Sequence, residues 1–189
     1  MSHLAAFART ARRQVRAIIE KQPLSDTRGR ELLRRYTRII KKTPRLIKNE
    51  LGSQGGLTMY ELSDTLDRVF VLYSTELEKA VAYGALENAW YRSGYKVMYS
   101  LYVEKEYRGL KLATILHLGA LHVYKKLMSD TIMAPGALNA FRSLEKHGHK
   151  IKMYDIEERA TVPFKWGADG IPMVEGESIE RSERYALYV

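Results

Sequence analysis

The sequence predicts an α/β chain in which a mixed central sheet is flanked by helices and preceded by a basic helical N-terminal extension. Three observations lead there. Apolar residues recur every three or four positions in much of the first 50 residues, and fall in short alternating runs from residue 57 onward. Those runs are interrupted by two helical patterns, so strands and helices interleave in the later part of the chain. Charge is segregated in the same way: residues 1–50 hold 14 Lys and Arg against 4 acids, whereas residues 51–189 hold 17 against 18. The net positive charge therefore belongs to the first quarter of the chain.

Leu4, Phe7, Ala8, Ala11, Val15, Ile18 and Ile19 draw an apolar stripe on a first helix. Pro23 and the run Ser25-Asp26-Thr27 break and restart the chain, with Ser25 or Asp26 as N-cap. Leu32, Leu33, Tyr36, Ile39 and Ile40 stripe a second helix, with Arg30, Arg34, Arg35, Arg38, Lys41 and Lys42 mostly off that stripe. Pro44 ends this helix or opens a short third one through Glu50. The patch Gly52-Ser53-Gln54-Gly55-Gly56 reads as a linker, dividing a basic helical region (1–52) from a second domain (53–189). Residues 58–62, 68–74, 79–88 and 95–103 then read as four strands rich in Val, Tyr and Leu. The turns at 64–67 and 90–94 are short enough for antiparallel hairpins. A long helix follows over 108–127, a strand over 130–134, and a second helix over 137–147 closed by Gly148. Strands over 149–156 and 185–189 complete the order.

Length and composition limit what this chain does. At 189 residues and 46% apolar content it suits one globular domain with an appendage. The absence of cysteine removes disulfides, thiolate zinc sites and cysteine nucleophiles, and fits a reducing compartment such as the cytoplasm. The longest apolar runs, such as Val69-Phe70-Val71-Leu72-Tyr73, are far too short to span a bilayer. The basic helices read as a solvated face, or as a surface for nucleic acid, an anionic membrane or an acidic protein. Residues 1–19, rich in Arg and poor in acids, also resemble a mitochondrial presequence, and no secretory signal is visible.

The richest stretch is Leu101-Tyr102-Val103-Glu104-Lys105-Glu106-Tyr107-Arg108-Gly109-Leu110-Lys111-Leu112-Ala113. It reads as a strand, a turn and a helix start. A helix start leaves N–H donors without intrahelical partners, and its dipole favours an anion. With Arg108 and Lys111 beside it, the site suits a phosphate or pyrophosphate. Leu101, Val103, Tyr107, Arg108, Gly109, Leu112 and Ala113 fit a pattern that resembles the GNAT superfamily of acyl-CoA-dependent N-acyltransferases. There a strand ending L-x-V-x-P-x-Y-R-G runs into the loop R-x-x-G-x-G/A and a helix. Lys105 stands where that pattern has proline, and Lys111 where the loop has glycine. The order of elements from residue 57 also resembles the second half of that fold, in which two central parallel strands splay and the pantetheine arm fills the gap.

This resemblance implies acetyl-CoA as co-substrate, with no metal, and an amine or protein acceptor. Backbone groups of Leu101 and Val103 would hold the pantetheine. The N–H groups of Gly109, Leu110, Lys111, Leu112, Ala113 and Thr114, with Arg108, would hold the pyrophosphate. The tyrosine that many members use as acid falls at Leu144, and the Asn position falls at Ala137, with Asn139 offset by two as a cofactor contact. Glu87 as general base, and Tyr99 or Tyr102 as acid, are the replacement catalytic candidates. The rival is a GNAT-shaped binding or assembly protein without turnover, such as occur among phage-encoded and virion-associated proteins. His147-Gly148-His149 has no third ligand at suitable spacing. His117 and His122 read as packing or surface residues, and Phe164, Trp166 and Met173 as a loop covering a pocket or the core.

Overall fold

The computed structural model describes residues 26–54, 56–64, 67–131, 135–179 and 182–189. The stripe from Leu4 to Ile19, the presequence reading and Ser25 lie outside those residues. The mixed sheet flanked by helices is the architecture observed. Helix α1 (Asp26–Lys42) is followed by a 3-10 turn (Pro44–Leu46) and five consecutive antiparallel strands. These are β1 (Ile47–Gln54), β2 (Leu57–Asp64), β3 (Asp67–Ser74), β4 (Lys79–Asn88) and β5 (Lys96–Val103). A 3-10 turn (Lys105–Tyr107) leads to α2 (Leu112–Tyr124), then β6 (Leu127–Met128), α3 (Pro135–Lys146) and β7 (Lys152–Asp155). The short strands β8 (Ala160–Val162), β9 (Lys165–Trp166), β10 (Pro172–Val174) and β11 (Glu177–Ser178) precede β12 (Tyr185–Tyr188). The main sheet runs β1-β2-β3-β4-β5-β6-β12-β7-β8, and β9, β10 and β11 form a second small sheet.

Two layers pack on this sheet because its strands alternate. Phe70, Leu72, Ala82 and Leu86 face α2 and α3, meeting Leu112, Leu116, Ala120, Phe141 and Leu144. Val69, Val71, Tyr83 and Ala85 face the other way and meet Leu33 and Tyr36 of α1. The apolar stripe expected on the second helix is thus the face of α1 that packs. Thr37 pins it further: its hydroxyl donates to the Leu33 carbonyl (2.8 Å) and accepts the amide of Ala80 (2.9 Å). That amide sits at a bulge, where Leu72 pairs with Ala82 and Tyr73 with Ala80.

Three expectations are corrected. Residues 47–54 are an edge strand rather than a short helix and a linker. Exposed Lys48, Asn49 and Glu50 hide its pattern, and a register shift falls between Glu50 and Gly52. The long helix is shorter at both ends. It starts at Leu112 because Gly109 and Lys111 take positive φ, and stops at Tyr124 because Lys125 adopts the left-handed conformation. A strand stands at Leu127–Met128, whose apolar pair had continued the helical pattern; Asp130 and Thr131, expected to open a strand over 130–134, lie in no strand, and residues 132–134 fall outside the described residues. Phe164 and Trp166, with Val174 and Ile179, pack against the main core, so this loop region covers the core through the small sheet.

Gly29 sets how closely α1 approaches β5. A Cβ there would stand 2.3 Å from ring carbons of Tyr102, a contact that must be relieved by backbone or ring movement. Gly29→Ala is therefore expected to destabilise the fold by about 1–3 kcal/mol in chemical denaturation, although alanine is the better helix former by about 1 kcal/mol. A neutral or stabilising result would mean that α1 does not dock at this distance.

Candidate functional site

Strand β5 is where the sheet changes character. It pairs with β4 along its length, from Asn88↔Lys96 to Ala82↔Val103. Its other edge pairs with β6 in parallel only at Lys96↔Leu127 and Val97↔Met128. Past that point β6 turns to β12, where Ser129 N–H donates to the Leu187 carbonyl (2.8 Å). Residues 98–103 of β5 are left with no ladder on the β6 side. A bulge coincides with the divergence: Ala85 pairs with Ser100 and Leu86 with Met98, so Tyr99 is the extra residue. Bulges bend a strand and increase its twist, which carries β5 away from β6.

The backbone polarity of this free edge follows from alternation. Glu104 N–H donates to the Val81 carbonyl (2.9 Å), toward β4. Leu101 and Val103 therefore direct their N–H and C=O groups toward the diverging side. Their side chains pack with the α2 layer, whereas Tyr102 lies on the α1 layer. Tyr99, three residues before Tyr102, shares that layer, which the bulge permits.

The strand runs into a loop shaped by two left-handed residues. Gly109 has φ +89°, and Lys111, the N-cap of α2, has φ +58° and ψ +24°. The family pattern has glycine at Lys111's position, and the backbone conformation here is one that glycine adopts without cost. No side chain caps α2. Leu110 N–H is taken by the Tyr107 carbonyl (3.3 Å), and the first helix-type bond runs from Ile115 N–H to the Lys111 carbonyl (3.2 Å). The N–H groups of Leu112, Ala113 and Thr114 thus precede the helix's own ladder. The loop is open to solvent: Leu110 is 60% exposed, Lys111 is exposed, and a Cβ at Gly109 would meet no atom within 4 Å.

Arg108 sits differently from expectation. Its guanidinium bonds the Asp26 carboxylate at the start of α1 (2.6 Å), and its Nε donates to the Val103 carbonyl (3.1 Å). The same group lies 5.8 Å from the Tyr102 ring centroid. The Tyr102 hydroxyl reaches the Asp26 carbonyl and carboxylate at 3.4 and 3.5 Å. Asp26, Tyr102 and Arg108 thus tie three elements together. The hydrogen bond from Arg108 holds the Asp26 carboxyl below its usual range, against a smaller opposing effect of burial. Burial, followed by the Asp26 charge, pushes the Tyr102 phenol up.

The other sequence candidates scatter. Glu87 is half-buried near the end of β4, opposite Val97. Asn139 is exposed on α3, and Leu144 is fully buried in the core. His117 is buried, with Nδ1 2.8 Å from the Ala113 carbonyl and its ring edge-on to Phe141, so it packs α2 on α3. Burial pushes its imidazole toward the neutral form. His122 is exposed, and His147 Nδ1 lies 2.7 Å from the Ser143 carbonyl. Among the described residues no group of three His, Asp or Glu could hold a metal, and no helix is long and apolar enough to cross a membrane. The bulge at Tyr99 and the partner of Arg108 were not found from sequence. An extra residue in a strand leaves alternation intact on either side, and Asp26 is 82 positions from Arg108.

No protein-family model matches the chain, and no curated protein matches it by sequence. Among solved structures, it is similar to an acetyltransferase of the GNAT family from Staphylococcus aureus Mu50. That match has 11% identity and a TM-score of 0.36, covering 82% of this chain and 77% of that one. It is also similar to nourseothricin acetyltransferase, with 12% identity and a TM-score of 0.37, covering 78% of this chain and 91% of that one.

The Asp26–Arg108 pair makes stability depend on pH. A carboxyl whose folded pKa is depressed contributes stability above its unfolded value, about 3.9, and loses it as pH falls through the folded value. Asp26→Asn should lower the melting temperature at neutral pH, with the difference from the parent shrinking below about pH 4 and also at high salt. A difference constant from pH 7 to pH 2 would show that the pair contributes nothing.

Proposed function

We propose that this chain is an acyl-CoA-dependent N-acyltransferase of the GNAT kind, which moves an acetyl group from acetyl-CoA to an amine. One observation carries the reading: the free edge of β5 runs directly into an uncapped helix start. An extended pantetheine could add to the edge of Leu101 and Val103 as a strand would. The pyrophosphate would then meet the N–H groups of Leu112, Ala113 and Thr114, which lie immediately downstream. The motif Tyr107-Arg108-Gly109 and the splayed parallel pair support the same family. Acetyl-CoA supplies a thioester carbonyl, which the acceptor amine attacks as the C–S bond breaks.

The chain's own groups have separate tasks. Leu101 and Val103 orient the arm through their backbone. Lys111 adds an ammonium at the phosphates, where other members have only a glycine backbone. Arg108, already bound to Asp26 and the Val103 carbonyl, is a positioning residue that fixes the end of β5 against α1. Tyr99, at the bulge where the gap opens, is the acid that returns a proton to the departing thiolate. Glu87, near the end of the adjacent strand, takes the proton that the amine loses. Tyr102 holds α1 in place rather than reaching the thioester, since its hydroxyl is turned to Asp26.

Calorimetric titration of acetyl-CoA into the full chain tests this directly. One site per chain at micromolar affinity is expected, and Lys111→Gly should weaken it about tenfold through loss of a charged contact. Tighter binding by Lys111→Gly would mean that the lysine obstructs the loop. Absence of binding at millimolar acetyl-CoA would sink the reading and leave a scaffold without turnover. Once an acceptor amine is found, Tyr99→Phe should lower kcat about 100-fold or more with KM for acetyl-CoA little changed. An unchanged kcat would remove Tyr99 from the chemistry.

A further inference from the structure

Helix α1 presents two unlike faces. Leu33 and Tyr36 are buried against β4, with Leu32, Ile39 and Ile40 beside them. The exposed residues of α1 are Thr27, Arg28, Arg30, Glu31, Arg34, Arg35, Arg38, Lys41 and Lys42. Not one is apolar. Arg38 stands at the centre of this face, and its neighbours at three and four residues in both directions are Arg34, Arg35, Lys41 and Lys42. Like charges at these spacings repel and weaken a helix. Lys41 is relieved by Glu78 on the β3–β4 turn (2.7 Å). Glu31, the only acid on the exposed face of α1, lies at the N-terminal end, three and four residues before Arg34 and Arg35. The row Arg34, Arg38 and Lys42 continues past it with a rise of about 6 Å per step.

We infer that the outer face of α1, centred on Arg38, is a docking surface for the phosphate backbone of a nucleic acid. The composition of the face selects this partner over the other polyanions. A helix that adsorbs to a membrane reserves its apolar stripe for lipid, and here that stripe is spent on the sheet. The centre of a protein interface sets aromatic and apolar anchors beside its arginines, and this face has no aromatic or apolar residue. Five of its seven cations are arginines, whose planar guanidinium matches phosphate oxygens in a fork. The face has no exposed aromatic to stack on a base and no amide to pair with adenine, and its arginines and lysines are assigned to phosphate oxygens. A duplex offers one phosphate per about 1.7 Å of axis, enough to meet every step of the row. The inference is independent of the acyl-CoA reading.

The test is fluorescence anisotropy of the full chain with a labelled 30-base-pair DNA duplex, titrated between 50 and 200 mM salt. Binding should weaken steeply with salt and be the same for a scrambled duplex. In the triple variant Arg34→Gln, Arg38→Gln, Lys42→Gln, the slope of log K against log salt should be shallower by about 2 to 3. The variant should melt at the same or a higher temperature, because it sheds like-charge repulsion, so a loss of binding would not reflect unfolding. An unchanged slope in the triple variant would overturn the inference, as would a strong preference for one duplex sequence. Equal or tighter binding to phosphatidylserine-containing vesicles or to polyglutamate would overturn it in favour of a membrane or an acidic protein.

Discussion

Two residue pairs, Lys96↔Leu127 and Val97↔Met128, are all the direct pairing that joins β5 to β6 across the sheet. Parallel pairing is already the weaker kind per residue, and a two-rung ladder gives little of it. The sheet stays continuous because β6 is caught on its far side by β12, through Leu127 with Val189 and Ser129 with Leu187. The consequence is an edge strand in the middle of a nine-stranded sheet. Elsewhere a protein covers or charges such an edge. Here the N–H and C=O of Leu101 and the N–H of Val103 have no ladder partner and lie beside an open loop, while the Val103 carbonyl is taken by Arg108.

The remaining features of the site brace this opening. The bulge at Tyr99 gives β5 the bend that separates it from β6, and Arg108 holds the far end of the strand by its Val103 carbonyl. Asp26 passes that restraint to α1, and the absent side chain of Gly29 lets α1 come close enough for it. The α1 layer is therefore part of the same construction as the loop before α2, although its outer face has a separate chemistry. Lys111 fits this picture. It keeps the left-handed backbone that shapes the loop, at a cost of about 1–2 kcal/mol for a residue with a Cβ, and places a cation where a phosphate would arrive.

The strands β2 to β5 were legible because Val, Leu and Tyr alternate on two buried faces, and the later helices because an apolar run marks α2 and Gly148 closes α3. What failed was local patterning without burial. The exposed polar residues of β1 carry no hydrophobic signal, so its bulged glycine looked like a linker. Leu127 and Met128 are too few to declare a strand after a helix of apolar residues. In the candidate site, the order of strand, turn and helix start from Leu101 to Ala113 was legible. The length of the β5–β6 ladder and the Asp26–Arg108 bond depend on residues far apart in the chain, and no window along the sequence contains them.

Amide hydrogen exchange of the full chain with and without acetyl-CoA addresses the central claim most directly. Groups on the free edge of β5 should exchange faster than their counterparts in β3 and β4 when acetyl-CoA is absent. On adding acetyl-CoA, the amides of Leu101 and Val103 and those of Leu112, Ala113 and Thr114 should become protected together, with β3 unchanged. Protection confined to other regions, or none at saturating acetyl-CoA, would contradict the claim that the splayed strand and the helix start form one binding site.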